Sequence, residues 1–209
     1  MGLTVARRSS DEPSALPSTF DPNVHTIIGI DPGRNGGIAI IQGNGVKAWP
    51  MPTQAWNGHF ILDIRQFANL THTFQTRRHR LAFVEKAGAR AGNSAQSMFS
   101  FGSSWGAIVS ALSYNAVLTE VAVGKHGWQA ALLPGVVGRD NLKAASVAFC
   151  RRHYPHVNLI PPRCREPHDG MADALCIATW GLHSLRGTLD QFSHNPTPKT
   201  IKRAPGKRA

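Results

Sequence analysis

Four acidic residues stand where two apolar runs end and where a third apolar segment begins. Asp31 and Glu85 each end a short apolar run that is typical of a buried strand. Asp169 and Asp173 stand four residues apart, so on a helix their side chains lie about 40° apart around the axis. A carboxylate in such a place is costly to bury unpaired. Several converging carboxylates suit a hard cation such as Mg²⁺, with Mn²⁺ as the alternative.

Such a cluster predicts phosphodiester hydrolysis with two cations in each site. Two ions held about 3.5–4 Å apart could activate a water molecule and stabilise the departing oxygen. His168, directly before Asp169, could assist proton transfer or hydrogen-bond Asp31. A loop histidine without a special role is the equal alternative.

The charge of the chain indicates which substrate would need these ions. The 209 residues include 23 Lys and Arg against 12 Asp and Glu, a formal net charge of +11. This balance favours a polyanion, with nucleic acid before an anionic membrane surface. No apolar run approaches the roughly 18 residues of a membrane span, and no basic amphipathic helix stands out. Nucleic acid is therefore the expected partner, and a membrane is not.

Cysteine usage favours a reducing compartment. Cys150, Cys164 and Cys176 are odd in number, lack Cys-x-x-Cys spacing and follow no secretory signal. The expected location is the cytoplasm or nucleoid of a bacterial or phage-infected cell, with an organelle nucleoid as the alternative. A zinc site using Cys150 or Cys164 lacks paired ligand spacing, so small buried thiols are the preferred interpretation.

Composition divides the chain into a domain with two tails. Residues 1–22 mix Ser, Pro and charges without periodicity and predict a disordered arm. Residues 23–186 carry the apolar patterns of one folded domain. Residues 187–209 predict a flexible basic tail, either binding phosphates or only aiding solubility.

Hydrophobic periodicity predicts an α/β domain. The predicted strands are Val24–Asp31, Ile38–Ile41, Val46–Trp49, Leu81–Glu85 and Val117–Val123. The first three form an antiparallel meander, and the last two should run parallel to the first, giving a five-stranded mixed sheet. Helices are predicted over about 61–70, 97–114, 128–133, 140–153 with Asp140 as its cap, and 169–185, on both faces of the sheet.

Three motifs resemble the RuvC Holliday junction resolvases of the RNase H-like fold. They are Ile-Gly-Ile-Asp-Pro-Gly33, the strand ending in Glu85, and Asp-Ala-Leu-Cys-Ile-Ala178, within a match over about residues 24–186. The last motif is closer to chloroplast and some phage-type members than to the bacterial pattern, whose last two acids are three residues apart. Gly170 stands at that place here, so Asp169 is the best candidate for the fourth carboxylate.

The resemblance implies a homodimer that nicks two opposing strands of a four-way DNA junction symmetrically. Asp31, Glu85, Asp169 and Asp173 would be its catalytic metal ligands. The helix around Phe101, Trp105 and Ile108 is the predicted dimer interface, with Gly102 and Gly106 permitting close approach.

The residues expected to contact DNA lie in several segments. They are Lys86, Arg90, Phe99, Phe101, Lys125, Arg139, Lys143, Arg163 and Arg165. Bacterial RuvC proteins carry an aromatic wedge just after the second acid. The stretch 86–90 has none, so Phe99 or Phe101 is the expected wedge residue. The alternative for these rings is packing in the hydrophobic core.

The basic candidates also have alternative roles. Residues 138–143 resemble a basic RuvC segment, so Lys143 could approach the scissile phosphate, or be an ordinary exposed helix lysine. Lys125 and Trp128 resemble another RuvC stretch, although packing is the better reading of Trp128. Arg163 and Arg165 suit phosphate contacts, and Glu166 could pair with them or bind metal.

Three other functions compete with junction cleavage. The first is an RNase H-like metal nuclease acting on RNA/DNA hybrids or other branched DNA. The second is a non-catalytic junction-binding protein, although an acidic pocket facing phosphates disfavours it. The third is an ATPase. It is disfavoured because the sequence lacks a Gly-x-x-x-x-Gly-Lys-Ser/Thr loop, so no nucleotide cofactor is expected.

Overall fold

Five strands form the central sheet of the protein. The computed structural model describes residues 25–72, 80–86, 94–113, 117–121 and 127–192. The strands of the central sheet are Thr26–Asp31 (β1), Gly37–Gln42 (β2), Gly45–Pro50 (β3), Arg80–Glu85 (β6) and Val117–Val121 (β7), in the order β3-β2-β1-β6-β7. Strands β1, β2 and β3 pair antiparallel, whereas β6 pairs parallel with both β1 and β7. The predicted mixed α/β class is confirmed.

Within the described residues, five α-helices and a short 3₁₀ helix accompany the sheet. They are Ile64–His72 (α1), Ala95–Ser113 (α2), Trp128–Leu132 (α3), Arg139–His153 (α4), Asp169–Arg186 (α5) and the 3₁₀ helix Leu189–Phe192. Among the described residues, no helix is both long and apolar enough to cross a membrane.

The two faces of the sheet bury separate apolar clusters because successive strand side chains point to opposite faces. Ile27 in β1 packs in one cluster with side chains of α3, α4 and α5. Its neighbour Ile28 packs in the other, with Phe67 of α1 and Ile108 of α2. Helices therefore cover both faces, as the alternation of helices and strands predicts.

The structure contains a two-stranded hairpin that the sequence patterns do not predict. Thr53–Trp56 (β4) pairs antiparallel with His59–Leu62 (β5), and the turn residues Asn57 and Gly58 both have positive φ. An Asn-Gly pair between apolar residues is a strong hairpin signal, so the sequence did contain it. The prediction that Ile61 begins a helix is wrong, since Ile61 lies in β5 and α1 begins at Ile64.

Three other expectations are corrected. The N-cap of α4 is Gly138, so Asp140 lies in the first turn instead of capping the helix. The side chain of Ile108 is 0% exposed in the core, so it is not available to a dimer interface. The core also extends past residue 186, because Phe192 is buried against Phe149 at a ring-centroid distance of 5.5 Å.

Helix α5 lies directly on the backbone of β1. A side chain at Gly29 would overlap the Ala174 carbonyl oxygen and the Ala178 backbone nitrogen. Because only glycine permits this approach, Gly29 sets the depth at which α5 sits on the sheet.

We expect Gly29→Ala to lower the free energy of unfolding by about 1–3 kcal/mol or more, since the added methyl group meets backbone that cannot rotate away. Gly102→Ala is the matched control, because a Cβ there meets nothing within 4 Å. In the middle of α2 the same substitution should be neutral or stabilise by up to about 1 kcal/mol. Urea unfolding of both variants measures the difference, and equal midpoints would contradict the packing argument.

Candidate active site

Asp31 and Glu85 leave the sheet at the same edge. Strands β1 and β6 are adjacent and parallel, with Ile30 opposite Val84, so the next residue of each strand lies at the shared carboxyl end. Both acids are partly exposed there. Ligands of α/β sheets commonly bind beyond this edge, which makes it the expected place for a site.

A contact between glycines brings the other two acids to this edge. Gly170 is buried, and a side chain on it would overlap the carbonyl oxygen of Asn35 and the backbone of Gly36. The start of α5 therefore lies against the turn that follows Asp31. No acid fits at position 170, which gives a steric reason for the carboxylate to stand at position 169.

The four acids act on one another electrostatically. Burial raises the pKa of Asp31 well above its usual value, and the charges of Glu85, Asp173 and Asp169 raise it further, whereas Lys143 lowers it. The arrangement thus disfavours ionised Asp31 unless positive charge enters the cluster. That is the electrostatic behaviour expected of a cation site.

Asp173 and Asp169 differ in their environments. Burial raises the pKa of Asp173 to about 6, although a Ser146 hydrogen bond lowers it. Burial also acts to raise the pKa of Asp169, but the hydrogen bond and charge of Lys143 outweigh it, and the net pKa is lowered. Asp169 is therefore the acid compensated by a local cation.

Helix α4 supplies the groups that contact these two acids. Lys143 forms an ion pair with Asp169, and both side chains remain partly exposed, at 43% and 31%. Ser146, one helical turn later, is fully buried. Its single hydroxyl proton can be donated to Asp173 or to the Leu142 carbonyl at 3.0 Å. The i, i+3 spacing places both polar groups on the face that meets α5.

Two further side chains contact elements of the site, one at Glu85 and one at the start of α5. The indole Nε1 of Trp128 donates to Oε2 of Glu85 at 3.4 Å, while the ring is fully buried. His168 is the N-cap of α5, and its Nδ1 accepts a hydrogen bond from the Met171 backbone N–H at 3.3 Å. A structural role for His168 is thus visible, and only its Nε2 remains for proton transfer.

The donor set fits a hard divalent cation. Four carboxylates supply only oxygen ligands, which Mg²⁺ and Mn²⁺ prefer. In the described part of the chain, no three His, Cys, Asp or Glu side chains already have the arrangement that holds a metal ion. Instead, the Lys143 ammonium lies in the cluster, on Asp169. Cation binding therefore requires these side chains to rearrange.

The cysteines have structural surroundings. Cys150 and Cys176 are buried with their Sγ atoms 3.8 Å apart, and Cys164 is exposed. The first two pack between α4 and α5, as expected of small buried thiols.

The predicted DNA contacts fall into three groups. Lys86, Arg139, Arg163 and Arg165 are exposed, although Lys86 has an interaction of its own, and Glu166 is exposed in the same loop as Arg165. Phe99 is 76% exposed, whereas Phe101 is half-buried beside Gly33. Arg90 and Lys125 lie outside the described residues.

Sequence reasoning missed two members of the site. Ser146 and Trp128 donate hydrogen bonds to Asp173 and Glu85, and none of the three sequence motifs contains these donors. Ser146 could have been found from its place three residues after Lys143, on the same helical face. The distance along the chain between Trp128 and Glu85 gives no comparable signal.

The fold and site together define a mixed α/β protein with a carboxylate cluster at the carboxyl edge of its central parallel strands. No model of a protein family matches the chain, and neither does any curated protein. Among solved structures, the chain is similar to RuvC of Thermus thermophilus, with 21% identity and a TM-score of 0.46 over 78% of this chain and 97% of that chain. It is also similar to T. thermophilus RuvC in complex with a Holliday junction substrate, with 18% identity, a TM-score of 0.45 and the same coverage.

Proposed function

We propose that this protein is a metal-dependent endonuclease that resolves four-way DNA junctions by nicking two opposing strands. The observation that carries the proposal is the convergence of Asp31, Glu85, Asp169 and Asp173 at one edge of the sheet, where burial and mutual repulsion raise the pKa of Asp31. A protein of charge +11 that gathers four of its 12 acids at one place has a specific use for them. Neutralisation by divalent cations reconciles this acidic pocket with a phosphate substrate.

The residues of the site have different proposed roles in phosphodiester hydrolysis. Two Mg²⁺ ions, or Mn²⁺, would supply Lewis-acid stabilisation of the attacking and leaving oxygens when bound. Asp31, Glu85, Asp169 and Asp173 hold these ions. Lys143, which pairs with Asp169 in this structure, is placed to exchange that partner for a substrate phosphate.

The resemblance of the three motifs to RuvC proteins supports junction specificity. The residues of these motifs lie near one another, with β1 and β6 adjacent and α5 against the turn after Asp31. The steric exclusion of an acid at position 170 favours the chloroplast and phage-type variant of the last motif over the bacterial one.

Symmetric nicking requires two sites related by a two-fold axis, so we propose a homodimer. Helix α2 remains the candidate interface, with Phe101 and Trp105 partly exposed. Ile108 has no part in it, since its side chain lies in the core.

One experiment tests the function. Labelled four-way junction, linear duplex, single strand and RNA/DNA hybrid are incubated with the protein, with and without Mg²⁺. We expect Mg²⁺-dependent paired nicks in the junction alone, and a dimer by sedimentation. Cleavage of the hybrid in preference to the junction would replace the proposal with a general RNase H-like nuclease. Binding without any cleavage would leave only a junction-binding protein.

A further inference from the structure

An exposed aromatic hairpin lies next to the turn that follows Asp31. In the β4–β5 hairpin, Trp56 is 60% exposed and Phe60 is 49% exposed. Phe60 lies on the same face of the hairpin as Leu62, whose side chain is buried in the core. The base of the hairpin is thus anchored, while its tip presents rings to the surface.

The Phe60 ring supports an arginine of that turn. The guanidinium carbon of Arg34, three residues after Asp31, lies 4.0 Å from the Phe60 ring centroid. Such cation–π stacking covers one face of the guanidinium group and leaves the N–H donors on its edge accessible. Arg34 is exposed, and within the described residues no carboxylate pairs with it.

The backbone beneath Arg34 is fixed on both sides. The Gly36 N–H donates to the Gly33 carbonyl at 3.1 Å, closing the turn, and the Met51 N–H donates to the Gly36 carbonyl at 2.9 Å. Gly36 also packs against Gly170 at the start of α5. Arg34 therefore projects from a hydrogen-bonded turn that directly follows Asp31, with its guanidinium group stacked on Phe60.

We propose that Arg34 binds a backbone phosphate of the DNA strand that enters the acidic site, and that Phe60 is the residue that positions it. This inference rests on the proposed nuclease function and adds a contact that none of the three motifs contains. A planar fork of unpaired donors suits a phosphate, and stacking on Phe60 reduces the freedom lost on binding. The hairpin thereby becomes a part of the DNA-binding surface.

The test is junction binding by the full-length chain in EDTA, where no strand is cut, across a series of salt concentrations. Arg34→Gln should weaken junction binding roughly 5- to 10-fold and reduce the slope of log affinity against log salt by about 1, as expected for the loss of one phosphate contact. Phe60→Leu should lose much of the same affinity, whereas Phe60→Tyr, which keeps the ring, should retain it. The double variant should bind no more weakly than Arg34→Gln alone.

Arg152→Gln is the matched control, because it removes the same charge from an exposed arginine in the last turn of α4. It lies nine residues, or roughly 13 Å along the helix, beyond Lys143. Equal salt slopes for Arg34→Gln and Arg152→Gln would overturn the inference but leave the nuclease proposal standing. If Phe60→Leu kept the parental salt slope but changed sedimentation, the hairpin would be a protein–protein interface. That result would also overturn the inference. Failure of the parent protein both to bind the junction in EDTA and to cut it in Mg²⁺ would overturn both proposals.

Discussion

The Asp173→Asn protein is expected to lose metal-dependent nicking of four-way junctions by roughly 10³-fold or more, because a bound cation contributes several kcal/mol of transition-state stabilisation. Asp31→Asn should have the same effect. Both variants should still bind the junction, since binding depends on lysine and arginine contacts spread over the surface. Single-turnover cleavage and gel-shift assays measure the two properties separately.

Asp173→Asn should also stabilise the metal-free protein at neutral pH. Burial raises the pKa of Asp173 to about 6, against roughly 3.9 for an unfolded aspartate. The stability contributed by this carboxyl is fully present below about pH 4 and is lost as the pH rises through 6. Asp173→Asn removes that loss, up to about 3 kcal/mol at pH 7.5. Urea unfolding in EDTA at pH 4.5 and 7.5 compares it with the parent.

Glu166→Gln is the control for both measurements, because it exchanges an exposed acid for an amide near the site. We expect parental cleavage and a parental pH dependence of stability from it. Asp169→Asn should lose nicking and also deprive Lys143 of its ion pair. If Asp169→Asn cleaved normally while Glu166→Gln did not, Asp169 would have no place in the site and Glu166 would take its role.

Phe99→Ala is expected to lower junction affinity without changing affinity for linear duplex. Phe99 is 76% exposed near the start of α2, and an exposed ring that stacks on an unpaired base contributes roughly 1–3 kcal/mol. Only a branched substrate offers such bases at its crossover. Counterion release, in contrast, is shared by every duplex and weakens with added salt. Competitive binding to labelled junction and duplex across a salt series therefore isolates the contribution of Phe99.

Phe101→Ala is the variant to compare with Phe99→Ala. The Phe101 ring is half-buried beside Gly33, so its removal should lower stability more than it lowers junction selectivity. Equal affinities of the parent for junction and duplex at every salt concentration would contradict junction specificity. Loss of selectivity in Phe101→Ala alone would transfer the wedge role from Phe99 to Phe101.

Local patterns predicted most of the elements that build the site. The apolar runs before Asp31 and Glu85 predicted both strands, because a short continuous apolar run is typical of a strand that is buried on both faces. The i, i+4 spacing of Asp169 and Asp173 gave the start of α5. What could not be predicted depends on contacts between distant residues. The pairing of Lys143 with Asp169 and the burial of Ile108 depend on how helices pack, which sequence spacing does not encode.

Some misses had a local cause instead. The Asn57-Gly58 turn is a hairpin signal that the apolar spacing after it obscured, since Ile61 fits a helical pattern extending into α1. Side-chain chemistry favours Asp140 as the N-cap of α4, but the structure has Gly138 there, with a positive φ. Phe192 joins the core through a single 3₁₀ turn, which is too short for periodicity to reveal.

The packing of α5 on Gly29 also governs when the proposed active site can form during synthesis. Asp31 and Glu85 leave the ribosome long before Asp169, which lies 84 positions after Glu85. Until α5 is made, one face of β1 and β2 has no cover, and the first two acids lack the two that complete the cluster. A nascent chain therefore carries only half of the proposed ligand set. The proposed cleavage of DNA is in this way reserved for molecules whose folding has reached the last long helix.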